Sequence, residues 1–349
     1  MILPQSYQAV LFLMVLSLLC LGSWASAFKF AGNWRFELFY LDFAIGLFLA
    51  SVIFAFTLGD IGYDGFNFLD DLQHAGRHQW MWAFLAGLLF NFGNMLLLAA
   101  VSVSGLAVAF PMGMGIAVLL GTVLGIASRP AGNSLLLALG CLLIVTSIVV
   151  NAVSYRIMGV AKHEVRARAG QAKSTRRPSP VKGIILALLA GLFLGCFTPM
   201  VEKARYGDQG LGPYAVGFIF AFGAFFSSFV FDIFFMNLPV EGEPLEFGGY
   251  LRGHMRQHLA GLGSGFVWYT GLLLAWVCTS VPAAIQGEPI LHFMMTQGSP
   301  VLAALWGILV FREFKNCDVR VKLLGTLMLV LFICGMAMIG LAPQFLSQS

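Results

Sequence analysis

Two asparagine side chains, Asn91 and Asn94, interrupt the otherwise apolar stretch LLFNFGNMLLL that covers residues 88–98. Residues three apart lie on one face of a helix. A primary amide is costly to bury in hydrocarbon without a hydrogen-bond partner, and it offers both a donor and an acceptor. Two interpretations follow: the amides join their helix to a neighbouring helix, or one or both of them bind a polar solute in a water-filled pathway.

An acid and a histidine four residues apart, Glu288 and His292, form a second candidate site. Glu288 is the sole formal charge between residues 257 and 311, and a carboxyl group inside a membrane is a functional candidate by default. A desolvated glutamate beside a titratable histidine can carry a coupling proton. The alternative is that Glu288, which directly precedes Pro289, lies at the outer membrane boundary and only caps a helix.

Aromatic side chains offer a third kind of contact. Trp268 and Tyr269 present flat rings that suit a planar polar solute or the apolar face of a sugar, although packing against lipid or another helix explains them equally well. Trp24 either lines the floor of a cavity or anchors its helix. We therefore include Trp24, Trp268 and Tyr269 with Asn91 and Asn94 among the expected solute contacts.

Three prolines, Pro111, Pro199 and Pro300, fall within or at the ends of apolar segments. Each removes a backbone donor and favours a kink, which exposes carbonyl groups to a cavity. Thr198 and Gln297 lie beside two of these prolines, so the broken helix ends are expected to supply further solute contacts. Kinks that serve only helix packing are the alternative.

Composition determines the class of protein that must position these residues. Hydrophobic residues make up 59% of the 349 residues, charged residues make up 10%, and the mean hydropathy is +0.87. Soluble domains carry roughly a quarter charged residues, so the sequence predicts an all-α polytopic membrane protein. The cysteines and histidines form no metal-binding pattern, and no nucleotide-binding or hydrolase motif occurs. We expect no enzyme activity, no cofactor or metal, and no nucleic acid partner.

Ten apolar segments are long enough to span a membrane. They lie near residues 8–28, 36–58, 79–101, 104–127, 134–152, 183–200, 212–236, 258–279, 289–311 and 323–341. The sequence ASA at residues 25–27 resembles a signal-peptidase site, but no basic residue precedes the first segment, so we expect it to be retained. Residues 156–182 carry eight basic side chains and form the expected linker between a first half, 1–155, and a second half, 183–349.

The placement of charge predicts an orientation. With ten spans, 16 of the 20 lysines and arginines fall on the same side as the basic linker. The positive-inside rule places that side in the cytoplasm, which puts both termini outside the plasma (inner) membrane. Adding or removing one span would destroy this division of charge, so the division also supports the count of ten.

The two halves resemble each other in sequence. LAG at residues 85–87 recurs at residues 259–261, and LGSW at residues 21–24 corresponds to LGCF at residues 194–197. Because five spans per half is an odd number, the second half enters the membrane from the opposite side. The sequence therefore predicts two inverted five-helix repeats, which is the plan of many secondary transporters.

Several stretches resemble the ureide permease family of the drug/metabolite transporter superfamily, which is similar to the glucose/ribose porters. They are FLMVLSLLCLGSW at residues 12–24, YLDFAIGLFLASVIFAFTLGDIG at residues 40–62, GN at residues 93–94, CFTP at residues 196–199 and QGSPVLAALWGILVFREF at residues 297–314. Asn94, Pro199 and Pro300 match family positions. Two departures are Val267-Trp268, where the family has Gly-Asn, and Met294, where the family has an acid.

The resemblance implies a proton-coupled importer of oxo-heterocycles such as allantoin or uracil, or of sugars if the glucose/ribose branch is closer. We therefore expect a permease that moves a small polar solute, with protons and the lipid bilayer as its other partners. A non-transporting scaffold or sensor subunit, in which the polar residues only fasten helices, is the alternative.

Overall fold

The computed structural model of the chain describes residues 1–62, 64–128, 132–168, 181–315 and 317–345. In these residues all of the regular structure is helical. The main helices are α1 (Tyr7–Ser23), α2 (Phe36–Phe56), α3 (Arg77–Ser104), α4 (Leu106–Ser128), α5 (Ser134–Arg168), α6 (Val181–Arg205), α7 (Pro213–Asn237), α8 (Met255–Thr279), the two halves α9a (Pro289–Gln297) and α9b (Ser299–Leu305), and α10 (Val319–Leu341). A π-helical turn, Trp306–Val310, follows α9b, and short helices at Ser26–Phe30, Phe68–His74, Phe247–Leu251 and Ala283–Gln286 connect the main ones.

Eight of these helices, α2 to α8 and α10, are long and apolar enough to cross a membrane. The two halves of α9 pass the same test together, although they are bent by 46° at a short break. Helix α1 is apolar but has only 17 residues, whereas a straight crossing needs about 20. The prediction of an all-α polytopic membrane protein is confirmed, and the described helices lie at the ten predicted segments. That all ten cross the membrane stays a prediction.

Two helix ends differ from the prediction. Helix α1 ends at Ser23, and a separate short helix, Ser26–Phe30, covers the rest of the first segment. The Ser26 hydroxyl donates to the Ser23 carbonyl over 2.6 Å, a bond that competes with regular helix continuation. Helix α5 continues to Arg168, into the predicted basic linker, because no proline interrupts it there. The part of the linker that covers residues 169–180 lies outside the described residues.

The connections between helices gather at two ends of the bundle. At one end, the Lys29 ammonium pairs with Glu313 over 3.4 Å, and Arg35 donates to the Glu243 carbonyl over 2.6 Å. At the other end, the Gly76 amide donates to the Gln209 carbonyl, and the Asn133 amide donates to the Ala342 carbonyl. Successive connections alternate between these ends. We call the end that carries Lys29, Arg35, Lys182 and Arg256 the basic face.

Helix packing follows one rule. Helix α3 packs against α6 and α7, and α8 packs against α1 and α2. The second set of contacts is obtained from the first when each helix is replaced by the one five places along, so that α3 becomes α8, α6 becomes α1 and α7 becomes α2. The same exchange converts the packing of α4 on α6 into that of α9 on α1, and it leaves the contact between α5 and α10 unchanged.

Glycines allow the central helices to cross closely. Where α2 crosses α8, a Cβ atom on Gly265 would collide with the Phe43 carbonyl oxygen, and one on Gly46 would collide with the Leu262 carbonyl oxygen. Gly87 and Gly223 have the same relation to backbone carbonyls where α3 crosses α7. Small residues at such crossings bring helix backbones into direct contact, which stabilises helix association in a membrane.

Replacing one of these glycines with alanine should therefore loosen the bundle. We expect Gly265→Ala to reduce the stability of the purified protein by about 1–3 kcal/mol, because the added methyl group has only backbone to displace. Gly263, two residues earlier in α8, has open space around it, and Gly263→Ala should be neutral or stabilise the helix by roughly 0.5–1 kcal/mol. Thermal unfolding in detergent compares the two variants, and equal melting temperatures would contradict the close crossing.

An acidic residue outside the long helices anchors the end opposite the basic face. Asp71, in the short helix Phe68–His74, is 3% exposed, and its Oδ2 accepts a hydrogen bond of 2.9 Å from the amide of Gly212, the residue that precedes α7. Burial raises the pKa of this carboxyl from 3.8 to about 6, although the Gly212 amide acts in the opposite direction. Asp71 thus fixes the start of α7 and titrates in a mildly acidic range.

Stability should depend on pH through Asp71. Since the pKa of its carboxyl is higher in the folded state than in the unfolded chain, the folded state binds the proton more tightly. The Asp71 contribution to the free energy of unfolding should therefore fall as the pH rises from about 4 to about 6, and it should be constant above that range. Melting temperatures measured across this range should show the decline in the wild type and a smaller decline in Asp71→Asn. Identical pH profiles would contradict the assignment.

Candidate functional site

Aromatic rings from both halves of the chain meet at the centre of the bundle. The Trp268 ring of α8 lies nearly parallel to the Phe90 ring of α3, with centroids 4.1 Å apart, and to the Phe220 ring of α7, at 6.2 Å. The Phe43 ring of α2 lies between Trp24, at 5.0 Å, and Trp268, at 6.2 Å. Trp24 and Trp268, far apart in sequence, therefore belong to one buried cluster.

The Asn94 amide borders this aromatic cluster. It is 1% exposed, and its Nδ2 donates to the Tyr40 hydroxyl over 3.2 Å. The Tyr40 hydroxyl in turn donates to the backbone carbonyl of Asn91 over 3.1 Å, and its ring lies 5.0 Å from Phe43. Asn94, Trp24 and Trp268 are thereby brought together around Phe43, with an amide on one side and aromatic planes on the other.

Sequence reasoning missed Tyr40 as a site residue. It is fully buried on α2, and its ring and hydroxyl connect the polar and aromatic parts of the cluster. Its one signal in the sequence is its position at the start of the stretch YLDFAIG, which carries part of the family resemblance. Helical spacing alone does not place a tyrosine of α2 beside an asparagine of α3.

The Asn91 side chain has a different environment from Asn94. Its Nδ2 donates to the Ser227 hydroxyl over 2.9 Å, and its Oδ1 accepts from the Ser228 hydroxyl over 3.2 Å. Both serines are buried on α7. The arrangement is that expected of an amide that joins α3 to α7, which is the first of the two interpretations given above.

Tyr269 follows Trp268 in sequence but lies on another face of α8. Its side chain is fully buried, its ring is 6.3 Å from Phe54, and its hydroxyl has no hydrogen-bond partner among the described residues. Consecutive helical residues point about 100° apart. Tyr269 is therefore turned away from the pair formed by Trp268 and Phe90.

The proline-associated candidates lie outside the aromatic cluster. Thr198 is exposed and Gln297 is half-buried. Pro111 and Pro199 lie inside α4 and α6, and the 46° break between α9a and α9b falls just before Pro300. Helix α9 is thus the described helix whose interruption coincides with a predicted kink.

Glu288 and His292 lie near the end of the bundle opposite the basic face. Glu288 is the N-cap residue of α9a, is exposed, and accepts a hydrogen bond of 2.9 Å from Gln344. His292 is half-buried, and its Nδ1 has no hydrogen-bond partner among the described residues. These described side chains do not form an ion pair with each other. The position of Glu288 is that expected of a boundary residue.

Three buried acids near the basic face were not among the predicted site residues. Glu37 of α2 is fully buried and forms a two-pronged pair with Arg35, at 2.6 and 3.2 Å. Asp42 of α2 contacts His258 and Tyr250 at 2.8 and 2.6 Å. Asp232 of α7 is 1% exposed. Within the described residues, no group of three or more histidine, cysteine or acidic side chains is placed to hold a metal ion.

A polytopic helical bundle with polar and aromatic side chains at its centre is an architecture that membrane transporters share with other membrane proteins. Residues 39–179 match the family model described as ureide permease. Over 93% of its length the chain is 25% identical to ureide permease 1 of Arabidopsis thaliana, of which 95% is covered. It is 24% identical to ureide permease 2 of the same plant, over 97% of this chain and 98% of that one.

The resemblance to the ureide permease family predicted from the sequence is confirmed. Along nearly its full length the chain is similar to the ureide permeases, which are membrane transporters and not enzymes. A solved crystal structure also aligns with 95% of this chain and 96% of its own, at a TM-score of 0.52 and 16% identity. That likeness concerns the fold alone.

The role of Asn91 can be tested through stability. We expect Asn91→Ala to reduce the free energy of unfolding by about 1–3 kcal/mol, because the hydroxyls of Ser227 and Ser228 lose a buried partner. Asn237, an exposed residue of α7 that bonds only within its own helix, supplies the control, and Asn237→Ala should change stability by less than about 0.5 kcal/mol. An unchanged melting temperature for Asn91→Ala in detergent would contradict the helix-joining role.

Proposed function

We propose that this protein carries a small, flat, polar solute of the ureide class across the membrane, and that the solute binds at the centre of the bundle. The observation that carries this proposal is the juxtaposition of the Asn94 amide, the Tyr40 hydroxyl and the Trp268 ring. An amide and a hydroxyl can bond the carbonyl and N–H groups of a ureide, while an indole ring can stack on its planar ring.

The names of the relatives favour a ureide over a sugar. The curated proteins that match nearly the full length of this chain are ureide permeases, and the stacked rings around Trp268 suit a planar heterocycle. A sugar could also stack on Trp268, so it is the natural competitor in a binding assay. Asn91, Tyr269, Thr198 and Gln297 are assigned weaker roles, since they lie at or beyond the edge of this cluster.

We propose transport by alternating access between two inverted five-helix halves, residues 1–155 and 183–349. Two observations support this arrangement. The helix contacts of the first half recur in the second when each helix is replaced by the one five places along, and the connections alternate between two ends of the bundle. Because Asn94, Tyr40 and Trp268 are almost fully buried, the conformation described here corresponds to a closed state of the cycle.

The basic face is proposed to lie in the cytoplasm of the plasma membrane, as the positive-inside rule requires. Entry of the solute would then be driven by protons moving inward with it. Pro111, Pro199 and Pro300 are proposed hinge positions, and the break at Pro300 is the most pronounced of them. Glu288 and His292 remain candidates for the group that carries the proton.

Solute binding can be tested by counterflow of labelled allantoin into proteoliposomes. Asn94→Ala and Trp268→Ala should each slow counterflow by roughly tenfold to a hundredfold, as expected for the loss of about 1–3 kcal/mol of solute binding. Tyr40→Phe should act in the same direction, since it removes the hydroxyl that holds the Asn94 amide.

Matched controls are available on the surface of the same helices. Asn237→Ala and Trp80→Ala remove an asparagine and a tryptophan that are exposed, so they should leave counterflow unchanged. Unaltered counterflow in both Asn94→Ala and Trp268→Ala would refute this location of the site. Transport of hexoses but not of allantoin by the wild type would refute the ureide assignment.

A further inference from the structure

A series of polar groups lies between the candidate solute site and the basic face. Asn94 donates to the Tyr40 hydroxyl, which donates to the Asn91 backbone carbonyl, and the Asn91 side chain accepts from Ser228. Asp232 follows Ser228 by four residues on α7 and therefore lies on the same helical face. The series passes between α2, α3 and α7, and one buried carboxyl group lies a helical turn beyond its last hydrogen bond.

Asp232 differs from the other members of this series because it has no hydrogen-bond partner in the part of the chain that the structure describes. Its side chain is 1% exposed, and neither carboxyl oxygen has a hydrogen-bond partner among the described residues. Burying an ionised carboxylate without a counter-ion carries a large desolvation penalty, and a buried acid in such surroundings takes up a proton instead. Burial without a partner therefore favours the neutral, protonated form of Asp232 in this closed conformation.

The positive groups near this end of α7 are already engaged. Arg35 pairs with Glu37, Lys182 of α6 donates to the Val240 carbonyl, and His258 of α8 pairs with Asp42. The remaining charged side chains of the helices packed on α7 lie elsewhere. Arg256 donates to the Phe30 carbonyl on the basic face. The others lie toward the opposite end of the bundle: Arg77, His78, Glu202, Lys203 and Arg205 of the long helices, and Asp70, Asp71 and His74 of the short helix Phe68–His74.

Arg35 directly precedes Phe36, whose ring lies 6.1 Å from the ring of Phe235, three residues after Asp232 on α7. Its guanidinium is fixed by both oxygens of Glu37, yet its side chain is 28% exposed and so reaches the water of the basic face. Guanidinium groups can bond two carboxylates at once, because they carry five donors. A modest separation of α2 and α7 would admit water between Asp232 and this ion pair.

We propose that Asp232 is the proton-binding carboxyl of the transport cycle, which is loaded in the closed state and releases its proton to water at the basic face when α2 and α7 separate. In that step the O–H bond of Asp232 breaks, the proton passes to water, and the new carboxylate is hydrated beside the pair of Arg35 and Glu37, where the guanidinium shares its donors between the two acids. This inference rests on the proposed transport function and assigns its coupling ion to one residue.

Proton release from Asp232 is coupled to solute binding because both involve helices α2 and α7. The movement that hydrates Asp232 also changes the contact of α7 with α3, which is fixed by Asn91, and the contact of α2 with α3, which is fixed by Tyr40 and Asn94. A ligand can shift a conformational equilibrium only by its different affinity for the two states. Asp232 meets this condition because it is dry in one state and wet in the other, whereas the exposed Glu288 meets water in the closed state already.

The test separates exchange from accumulation in proteoliposomes. With one proton per solute, an inward gradient of one pH unit supports about tenfold accumulation of allantoin. Asp232→Asn imitates the protonated residue, so counterflow should continue while accumulation stops at equal concentrations. Asp208→Asn, the same change at an exposed carboxyl, is the matched control and should show both activities. Gradient-driven accumulation by Asp232→Asn at the wild-type level, or its loss in Glu288→Gln alone, would overturn the proposal.

A second measurement does not depend on the solute. At neutral pH, the infrared spectrum of the wild type should contain a band from a protonated carboxylic acid that Asp232→Asn lacks and Glu288→Gln retains. Identical spectra for the wild type and Asp232→Asn would overturn the assignment of the proton. If this band is present but the wild type shows no allantoin counterflow, the proton site stands and the proposed ureide substrate is wrong.

Discussion

The dominant constraint on this protein is that the membrane interior offers no water to its polar groups, so each one must find a partner inside the chain. The centre of the bundle is arranged around this need. The Asn91 amide is bonded by two serines, and the Asn94 amide is bonded by Tyr40. A polar group that lacks such a partner, as Asp232 does among the described residues, is therefore informative, because the fold tolerates its cost.

The same constraint explains how the charged residues stabilise the ends of helices. At the basic face, the two oxygens of Glu313 accept from the amides of Leu106 and Ala107, the first residues of α4. At the opposite end, Arg205 donates to the Trp276 carbonyl and the Thr279 hydroxyl, at the end of α8. A negative group at a helix N-terminus and a positive one at a C-terminus each satisfy free backbone groups and favour the helix dipole. Both contacts also tie together distant parts of the chain.

Close helix crossings and packed aromatic rings hold the rest of the core in place. Glycines at the crossings of α2 with α8 and of α3 with α7 bring the backbones into contact, and these helices carry Tyr40, Asn94, Phe220 and Trp268. The rings then fill the space at the centre with little free rotation. A transporter must rearrange this core, and the proposed separation of α2 from α7 reaches the polar groups that lie between the solute site and Asp232.

The sequence by itself determined that this chain is a helical membrane protein, where its helices lie and which ends carry positive charge, because hydropathy and charge act on each segment independently of its neighbours. The sequence also indicated Asn94, Trp24 and Trp268 as candidate solute contacts. Only the tertiary structure decided the partner of each polar group: serines for Asn91, Tyr40 for Asn94, and none among the described residues for Asp232. Helical periodicity defines which residues share a face, but the residues opposite that face come from helices 54 positions away for Asn94 and 136 for Asn91, and packing alone selects them.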